Sequence, residues 1–127
     1  MSYVRNIVAL LFVVALIAVL TFLWVNRDGD PRERKELSWK DARSHVGDRV
    51  KACGPVAGVG RDEDDTFINV GFDFPDKRRL TIIVWDQPKF RAPNVGDVAC
   101  ATGKVTRHTG VPEIDVEDLD NLEIRAG

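Results

Sequence analysis

Apolar residues follow two different patterns along the chain. From Ile7 to Val25 every residue except Thr21 is apolar, and a helix of about 19 residues at ~1.5 Å per residue spans close to the ~30 Å hydrocarbon core of a membrane. From Trp39 onward, apolar residues come in short runs separated by turn-forming residues, which is typical of β-strands. The pattern predicts a short head at 1–6, a transmembrane helix at 7–25, a polar stalk at 26–37 and a β-rich domain at 38–127.

Two other interpretations of the N-terminal run are a cleaved signal peptide and a buried core helix. The run is longer than the apolar region of an ordinary signal peptide, and the residues after Trp24 offer no small-x-small cleavage pattern. A helix that is apolar on all sides needs a large core to bury it, and a chain of 127 residues provides none. Tyr3 and Trp24 lie near the ends of the run, where amphipathic rings favour the membrane interface. We therefore interpret the run as an uncleaved anchor.

The segment after the stalk predicts a short helix followed by five strands. Ser38 suits a helix N-cap and Asp41 follows three residues later, which indicates a helix from Ser38 to His45 whose Trp39 packs on the domain. Five strands within ~75 residues favour a closed barrel, because an open sheet this small leaves its edges exposed. The predicted fold is all-β, a small five-stranded Greek-key barrel of the OB type with a short N-terminal helix, preceded by the transmembrane helix. The runs that predict the strands are Val50–Val59, Phe67–Val70, Leu80–Trp85, Val98–Val105 and Ile114–Val116.

The segment from Ser38 to Ile124 resembles a family of small bacterial OB-fold proteins that are labelled nucleic-acid-binding by fold and are often exported or membrane-attached. The resemblance covers about two-thirds of the chain and implies an OB fold and a binding role without enzymatic activity. The sequence departs from the family in an acidic first loop and in a short connection between the third and fourth strands, where we expect a turn instead of the usual helix. The motifs that carry the resemblance are Val46-Gly47, Ala52-Cys53-Gly54-Pro55-Val56, Phe67-Ile68-Asn69-Val70-Gly71 with Pro75, Thr81-Ile82-Ile83-Val84-Trp85, Phe90, Cys100-Ala101-Thr102-Gly103-Lys104-Val105 and Gly110-Val111-Pro112-Glu113-Ile114.

The first and fourth predicted strands share a glycine pattern. Gly47 and Gly96 precede them, and a second glycine follows at the same offset in each, at Gly54 and Gly103. The first and fourth strands of an OB barrel are neighbours and bend sharply, which a mid-strand glycine permits without a Cβ clash. Chance similarity between valine-rich strands is the other explanation.

Cys53 and Cys100 are the two cysteines, and they fall in these same two strands. Behind a membrane anchor, such a pair is typical of a structural disulfide in an oxidising compartment. Two buried free thiols are the alternative. A metal site is not expected, because two cysteines placed in this way supply too few ligands.

The signals for orientation conflict. Arg27, Arg32, Arg34 and Lys35 follow the apolar run, whereas Arg5 precedes it, so the positive-inside rule places the domain in the cytoplasm. The cysteine pair and the very short head favour an exported domain instead. We adopt that second orientation, with a single pass through a bacterial cytoplasmic membrane and an extracytoplasmic domain.

The charge of the soluble part restricts its partners. Only one of the 18 Lys and Arg residues precedes Asn26, so the remainder carries 17 basic side chains against 20 acidic ones. A net negative domain lacks a general attraction to phosphate, and nucleic-acid binding then needs a local basic patch beside exposed aromatic rings. The alternative places Phe67 and Trp85 in the core and uses the other rings to cover a turn. The candidate ligand-binding residues are Phe72, Phe74, Lys77, Arg78, Arg79, Trp85, Lys104 and Arg107.

No sequence feature indicates catalysis. The acidic run Arg61–Asp65 between the first two strands lacks the ligand alternation of a calcium loop and is interpreted as a solvated turn. His45 and His108 are the only histidines, and no serine or cysteine is arranged with them as a nucleophile. We therefore expect no enzyme activity, no cofactor and no bound metal.

Two functional hypotheses follow. The first is a membrane-anchored OB module that binds single-stranded nucleic acid or another extended ligand. The second is a structural subunit that docks on an envelope protein complex without a nucleic-acid ligand. The expected partners are thus the lipid bilayer and either a nucleic acid or an envelope protein. Haem chaperones of cytochrome c maturation share this layout. Their haem-attaching histidine lies in a tail beyond the barrel, whereas no histidine follows His108 here.

Overall fold

The protein is described here by a computed structural model that covers residues 2–25 and 35–127. The chain divides into two compact units, one ending at Arg34 and one spanning Lys35–Gly127. The helix α1 (Ser2–Val25) belongs to the first unit, and all strands belong to the second. Most of the predicted stalk, residues 26–34, lies outside the described residues.

The helix α1 is long and apolar enough to cross a membrane over Tyr3–Trp24, and none of this span is buried. Its polar residue Thr21 donates its hydroxyl to the carbonyl oxygens of Ile17 and Ala18, each at 2.9 Å. The hydroxyl is therefore satisfied within the helix, as the interior of a bilayer requires. The helix also includes residues 2–6 of the predicted head, because nothing in that segment interrupts helical geometry.

Seven strands and two short 3₁₀ helices form the second unit. Strands β2, β3, β4, β6 and β5 pair in that order, and an additional pairing of β2 with β5 closes them into a ring. The predicted OB-like barrel of five strands is confirmed. The strands are β1 (Glu36–Ser38), β2 (Arg49–Asp62), β3 (Asp65–Val70), β4 (Leu80–Val84), β5 (Val98–His108), β6 (Val111–Val116) and β7 (Leu122–Arg125), and the 3₁₀ helices are Trp39–Ser44 and Leu119–Asn121.

Two long strands close the barrel by changing partners along their length. The strand β2 pairs with β5 up to Pro55 and with β3 from Val56, and β5 pairs with β2 up to Lys104 and with β6 from Val105. The two mid-strand glycines of the sequence pattern lie beside these changes of partner. The predicted adjacency of the first and fourth strands is therefore confirmed.

Two strands were not predicted from the sequence. The strand β1 contains Glu36 and Leu37, the last two residues of the predicted stalk, and pairs in parallel with β2. The strand β7 pairs with β5 on the opposite side. Both are short and rich in charge, so alternation along the chain does not mark them. The compact unit that holds the strands begins at Lys35.

The connections between strands are short. The acidic segment expected as a loop is largely strand, and only Glu63 and Asp64 lie between β2 and β3, with Glu63 at φ 52°. The segment between β4 and β5 contains no helix, as expected from its length.

The predicted N-terminal helix is a 3₁₀ helix that covers one end of the barrel. Ser38 caps it by accepting a hydrogen bond from the backbone N–H of Lys40 at 3.4 Å. The indole of Trp39 lies directly on Gly54 and Gly71, where a Cβ on either glycine would overlap the ring. The ring is half-buried against the core and confirms the predicted packing. The core beneath it consists of Ala42, Val50, Ala52, Val56, Ile68, Val70, Leu80, Ile82, Val84, Ala99, Ala101, Val105, Ile114 and Val116.

Candidate ligand-binding groove

A groove crosses the outer face of β2, β3, β4 and β6. Gly58 and Gly60 of β2 pair with Asn69 and Phe67 of β3. Because the two glycines have no side chains, the surface beside Asn69 and Phe67 is left open as a groove. The groove encloses about 510 Å³. We call it the glycine groove, and it is lined by Val59, Gly60, Arg61, Phe67, Asn69, Asp73, Phe74, Arg79, Thr81 and Glu113.

A chain of polar side chains forms the floor of the glycine groove. Asn69 and Thr81 are only 6% and 4% exposed, and the Thr81 hydroxyl donates to Asn69 Oδ1 at 3.4 Å. Asn69 Nδ2 donates to Asp73 Oδ1 at 3.0 Å, and Arg79 Nε donates to Thr81 Oγ1 at 3.1 Å. A Cβ at Gly58 would overlap the Asp73 carboxylate, so this glycine makes the network possible. The floor is therefore polar and fixed in place.

An aromatic ring and an arginine form one rim of the groove. Phe74 is 70% exposed, and the guanidinium of Arg79 lies 5.2 Å from its ring centroid. Arg79 also donates to the carbonyl oxygen of Asp76 at 2.7 Å. The rim therefore offers an exposed apolar ring face with a cation beside it.

A carboxylate lies at the far side of the groove. Glu113 is half-buried, and its carboxylate makes no hydrogen bond or ion pair with the described residues. Burial raises the pKa of Glu113, an effect that His108 and Arg79 only partly offset. The groove therefore holds an incompletely solvated carboxylate that has no fixed partner.

The predicted ligand-binding residues do not form one surface. Phe74 and Arg79 line the glycine groove. Phe72 packs edge-on against Trp39 with 5.6 Å between ring centroids, and Arg78 lies 4.0 Å over its ring while pairing with Asp76 at 2.7 Å. This second aromatic–arginine pair lies next to the first along the chain but is outside the groove.

The other predicted residues lie on neighbouring surfaces. Trp85 is half-buried, contacts Phe67 at 6.3 Å between centroids, and lines an adjacent cavity that is rich in carboxylates. Lys104 lines a third cavity, on β5. Arg107 donates to the carbonyl oxygen of Arg43 at 3.4 Å. Lys77 is exposed and accepts, through its carbonyl oxygen, a hydrogen bond from Arg43 at 3.2 Å.

Sequence reasoning missed the groove itself. The polar floor residues Asn69 and Thr81, the unpaired Glu113 and the outward Gly58 and Gly60 were not among the predicted site residues. The available signal was the glycine–valine–glycine run in β2, together with polar residues at outward positions of the facing strands. A strand with glycine at alternate positions leaves one face of the sheet bare.

A disulfide joins the two strands on another face of the barrel. Cys53 and Cys100 are directly paired residues of β2 and β5, with 4.1 Å between their Cα atoms, and they are bonded to each other. The prediction of a disulfide is confirmed. The Glu36 carboxylate lies close to both sulfur atoms, but the sulfur–sulfur bond leaves no thiolate for a metal ion.

Four charged side chains cover the disulfide from β1, β2 and β7. Lys51 Nζ lies 3.0 Å from Glu36 and 3.1 Å from Glu123, and Arg125 contacts the same two carboxylates at 2.6 and 2.7 Å. Hydrogen bonds, first from Arg125 and then from Lys51, lower the pKa of Glu123 to about 2 and also lower that of Glu36. The cluster ties the two short outer strands to the barrel.

This cluster predicts a stability change in acid. A carboxylate whose pKa is lower in the folded chain than in the unfolded chain stabilises the fold above its ordinary pKa of 4.5, and this contribution is lost as the pH falls towards about 2. We expect Glu123→Gln to flatten the fall of the urea midpoint over that window. Salt should weaken the wild-type effect, because the cluster is exposed. An unchanged slope, or an equal change in the hairpin-tip control Glu63→Gln, would count against this account.

Comparisons with known proteins support the fold alone. No protein-family model and no curated protein matches the chain. The chain is similar to a putative aspartyl-tRNA synthetase from Leishmania major, with a TM-score of 0.56 and 8% identity over 80% of this chain and 23% of the synthetase. It is also similar to a murine DNA-binding protein bound with double-stranded DNA, with a TM-score of 0.55 and 12% identity over 76% of this chain and 51% of that protein. This chain thus spans about a quarter and about half of these proteins.

Proposed function

We propose that the protein is a membrane-anchored OB-fold binding module that holds an extended ligand in the glycine groove. The observation that carries the proposal is the groove, which has a rigid polar floor, an exposed aromatic rim and an unpaired carboxylate. Sites of this kind combine apolar area with a few fixed polar groups that orient a ligand. A groove that crosses four strands suits an extended chain better than a compact molecule. The role is one of binding, and no reaction is assigned.

The anchor in this proposal is α1. Its length, its apolar composition and the internal satisfaction of Thr21 suit a bilayer, and the disulfide suits a domain outside the reducing cytoplasm. Two measurements test this part. The full chain should remain in the membrane pellet after alkaline carbonate extraction, and its thiols should react with an alkylating agent in intact cells only after reduction. Extraction into the supernatant, or alkylation without reduction, would contradict it.

Single-stranded nucleic acid is one candidate ligand, and a specific observation favours it. Two arginines lie over phenylalanine rings at the rim and beside it, Arg79 with Phe74 and Arg78 with Phe72. Base stacking on such rings with cations nearby is typical of OB faces. This candidate predicts that Arg78→Ala and Arg79→Ala weaken a salt-sensitive affinity for (dT)20 in a filter-binding assay.

A structural subunit that docks on an envelope complex is the alternative function. It needs the anchor and the barrel but not an occupied groove. Substitutions confined to the groove would then leave docking of the protein on the envelope complex unchanged. The two functions are therefore separated by a substitution that fills the groove and leaves the barrel intact.

The substitution Gly60→Val fills the groove with little strain. A Cβ at Gly60 would have one near neighbour, Phe67 Cβ at 4.0 Å, and a β-branched residue suits a strand. We expect the free energy of unfolding to change by less than about 1 kcal/mol, and ligand binding to weaken at least about tenfold.

Binding is measured by fluorescence anisotropy on the full chain in phosphatidylcholine nanodiscs. The probes are (dT)20 and an octapeptide of alternating lysine and serine. At least one probe should bind the wild type and lose affinity in Gly60→Val. Binding of neither probe, or equal binding by the two proteins, would contradict the proposal.

A further inference from the structure

The strand β6 presents acidic side chains along the outer face that the glycine groove crosses. Glu113 and Asp115 of β6 alternate with the buried residues Ile114 and Val116, and Glu117 follows the strand in a bend. Alternate residues of a strand lie about 7 Å apart on one face. Glu113 and Asp115 therefore form a row that begins inside the groove and continues beyond it, and Glu117 lines the next cavity together with Asp115.

Aromatic rings accompany this row. Phe67 and Phe74 line the groove with Glu113, and Trp85 lines the next cavity with Asp115 and Glu117. Phe67 and Trp85 contact each other edge-on, so the aromatic surface is continuous from one cavity to the next. A ring face next to a carboxylate attracts a cation with an aliphatic stem, because the ring binds the stem and the cation while the carboxylate supplies the charge.

The two arginines that line the groove are held by partners other than Glu113, Arg61 by the Thr66 hydroxyl and the Phe90 carbonyl oxygen. The guanidinium of Arg79 is held by the carbonyl oxygen of Asp76 and the hydroxyl of Thr81, and it lies on Phe74 rather than on Glu113. Lys104 and Arg49 line a third cavity, which Asp115 and Glu117 also line, and neither of these cations lines the groove. A phosphate in the groove would approach Glu113 and Asp73, and both arginines of the lining already donate to other groups. A basic side chain would instead give Glu113 the partner that it lacks among the described residues.

We propose that the occupant of the glycine groove is an extended polypeptide segment that carries lysine or arginine at alternate residues. The inference rests on the proposed function and names the ligand class for that same groove. One basic side chain lies between the two phenylalanine rings and pairs with Glu113, and the next reaches Asp115 beside Trp85. An extended peptide suits this row because its own alternate side chains also project to one side about 7 Å apart.

The test uses the full chain in phosphatidylcholine nanodiscs and three labelled probes. These are the alternating lysine–serine octapeptide, a block isomer with four lysines followed by four serines, and (dT)20. The proteins are the wild type, Glu113→Gln, Gly60→Val and the control Glu63→Gln at the hairpin tip. Glu113→Gln keeps the shape of the side chain and removes its charge, so it preserves packing.

We expect the alternating peptide to bind more tightly than the block isomer. Glu113→Gln should weaken this binding at least about tenfold, since a partly desolvated charge pair is lost, and Glu63→Gln should leave it unchanged. Peptide binding that is equal for both isomers, or insensitive to Glu113→Gln, overturns the inference. Binding of (dT)20 alone, lost in Gly60→Val, overturns the inference and retains the proposed function. Binding of no probe overturns both.

Discussion

Replacing both cysteines, Cys53→Ala with Cys100→Ala, is expected to lower the free energy of unfolding of the barrel by about 4 kcal/mol. The disulfide joins residues that are 47 positions apart, and the chain-entropy model assigns this loss to the freedom that the unfolded chain regains. Direct pairing of the two residues in the β2–β5 ladder means that the folded barrel holds them together with or without the bond. Loss of the bond therefore acts by stabilising the unfolded chain. The resulting change is a large share of the free energy of unfolding of a small domain.

Urea unfolding of the full chain in detergent micelles, followed by near-ultraviolet circular dichroism, measures this change. Reductant serves as the matched control. It should move the wild-type curve onto that of the alanine variant and leave the variant curve unchanged. A variant that unfolds within about 1 kcal/mol of the wild type would show that the bond contributes little.

Replacing Gly71 with alanine is expected to cost about 3 kcal/mol, for two separable reasons. The residue has φ +83°, where a side chain is strained, and a Cβ there would overlap the indole ring of Trp39. That indole lies directly on Gly71 and Gly54 and packs edge-on against Phe72, so a Cβ at Gly71 displaces it from both glycines. The substitution therefore disturbs the packing of the 3₁₀ helix on the barrel.

A second glycine isolates the contribution of the ring. Gly110 has the same φ of +83°, and a Cβ there would meet no atom within 4 Å. We expect Gly110→Ala to cost only about 1 kcal/mol, the backbone part of the penalty. Urea midpoints of both variants, measured side by side, give the contribution of the Trp39 contact as a difference. Equal costs would mean that the indole moves aside freely.

The barrel was predictable where local pattern and topology agree. Alternating apolar residues mark β2 through β6, and the repeated glycines identify the two strands that bend and change partners. The cysteine pair follows from the same adjacency. The 3₁₀ helix was predictable from Ser38 and Trp39, because a cap and a large apolar ring are local signals.

The remaining features depend on contacts that sequence patterns do not encode. The strands β1 and β7 are held by pairing with β2 and β5 and by the ion pairs of Lys51 and Arg125. Their own residues show little of the apolar alternation that predicts a strand. The glycine groove depends on the register between β2 and β3. The surface is open at this place because the outward-facing Gly60 pairs with Phe67. The sequence predicts one basic patch from the run at 77–79. In the structure, Arg78 lies over the ring of Phe72 and Arg79 over the ring of Phe74.

Photo-crosslinking in the native host tests most directly whether the groove face is the binding surface of the anchored protein. A photoreactive phenylalanine analogue is placed at position 74 on the rim or at position 95, since Phe74 and Val95 are equally exposed at 70% and Val95 does not line the groove. We expect a crosslink from position 74 that survives nuclease and is lost when Gly60→Val is added. Equal crosslinking from both positions, or none from position 74, would contradict the account.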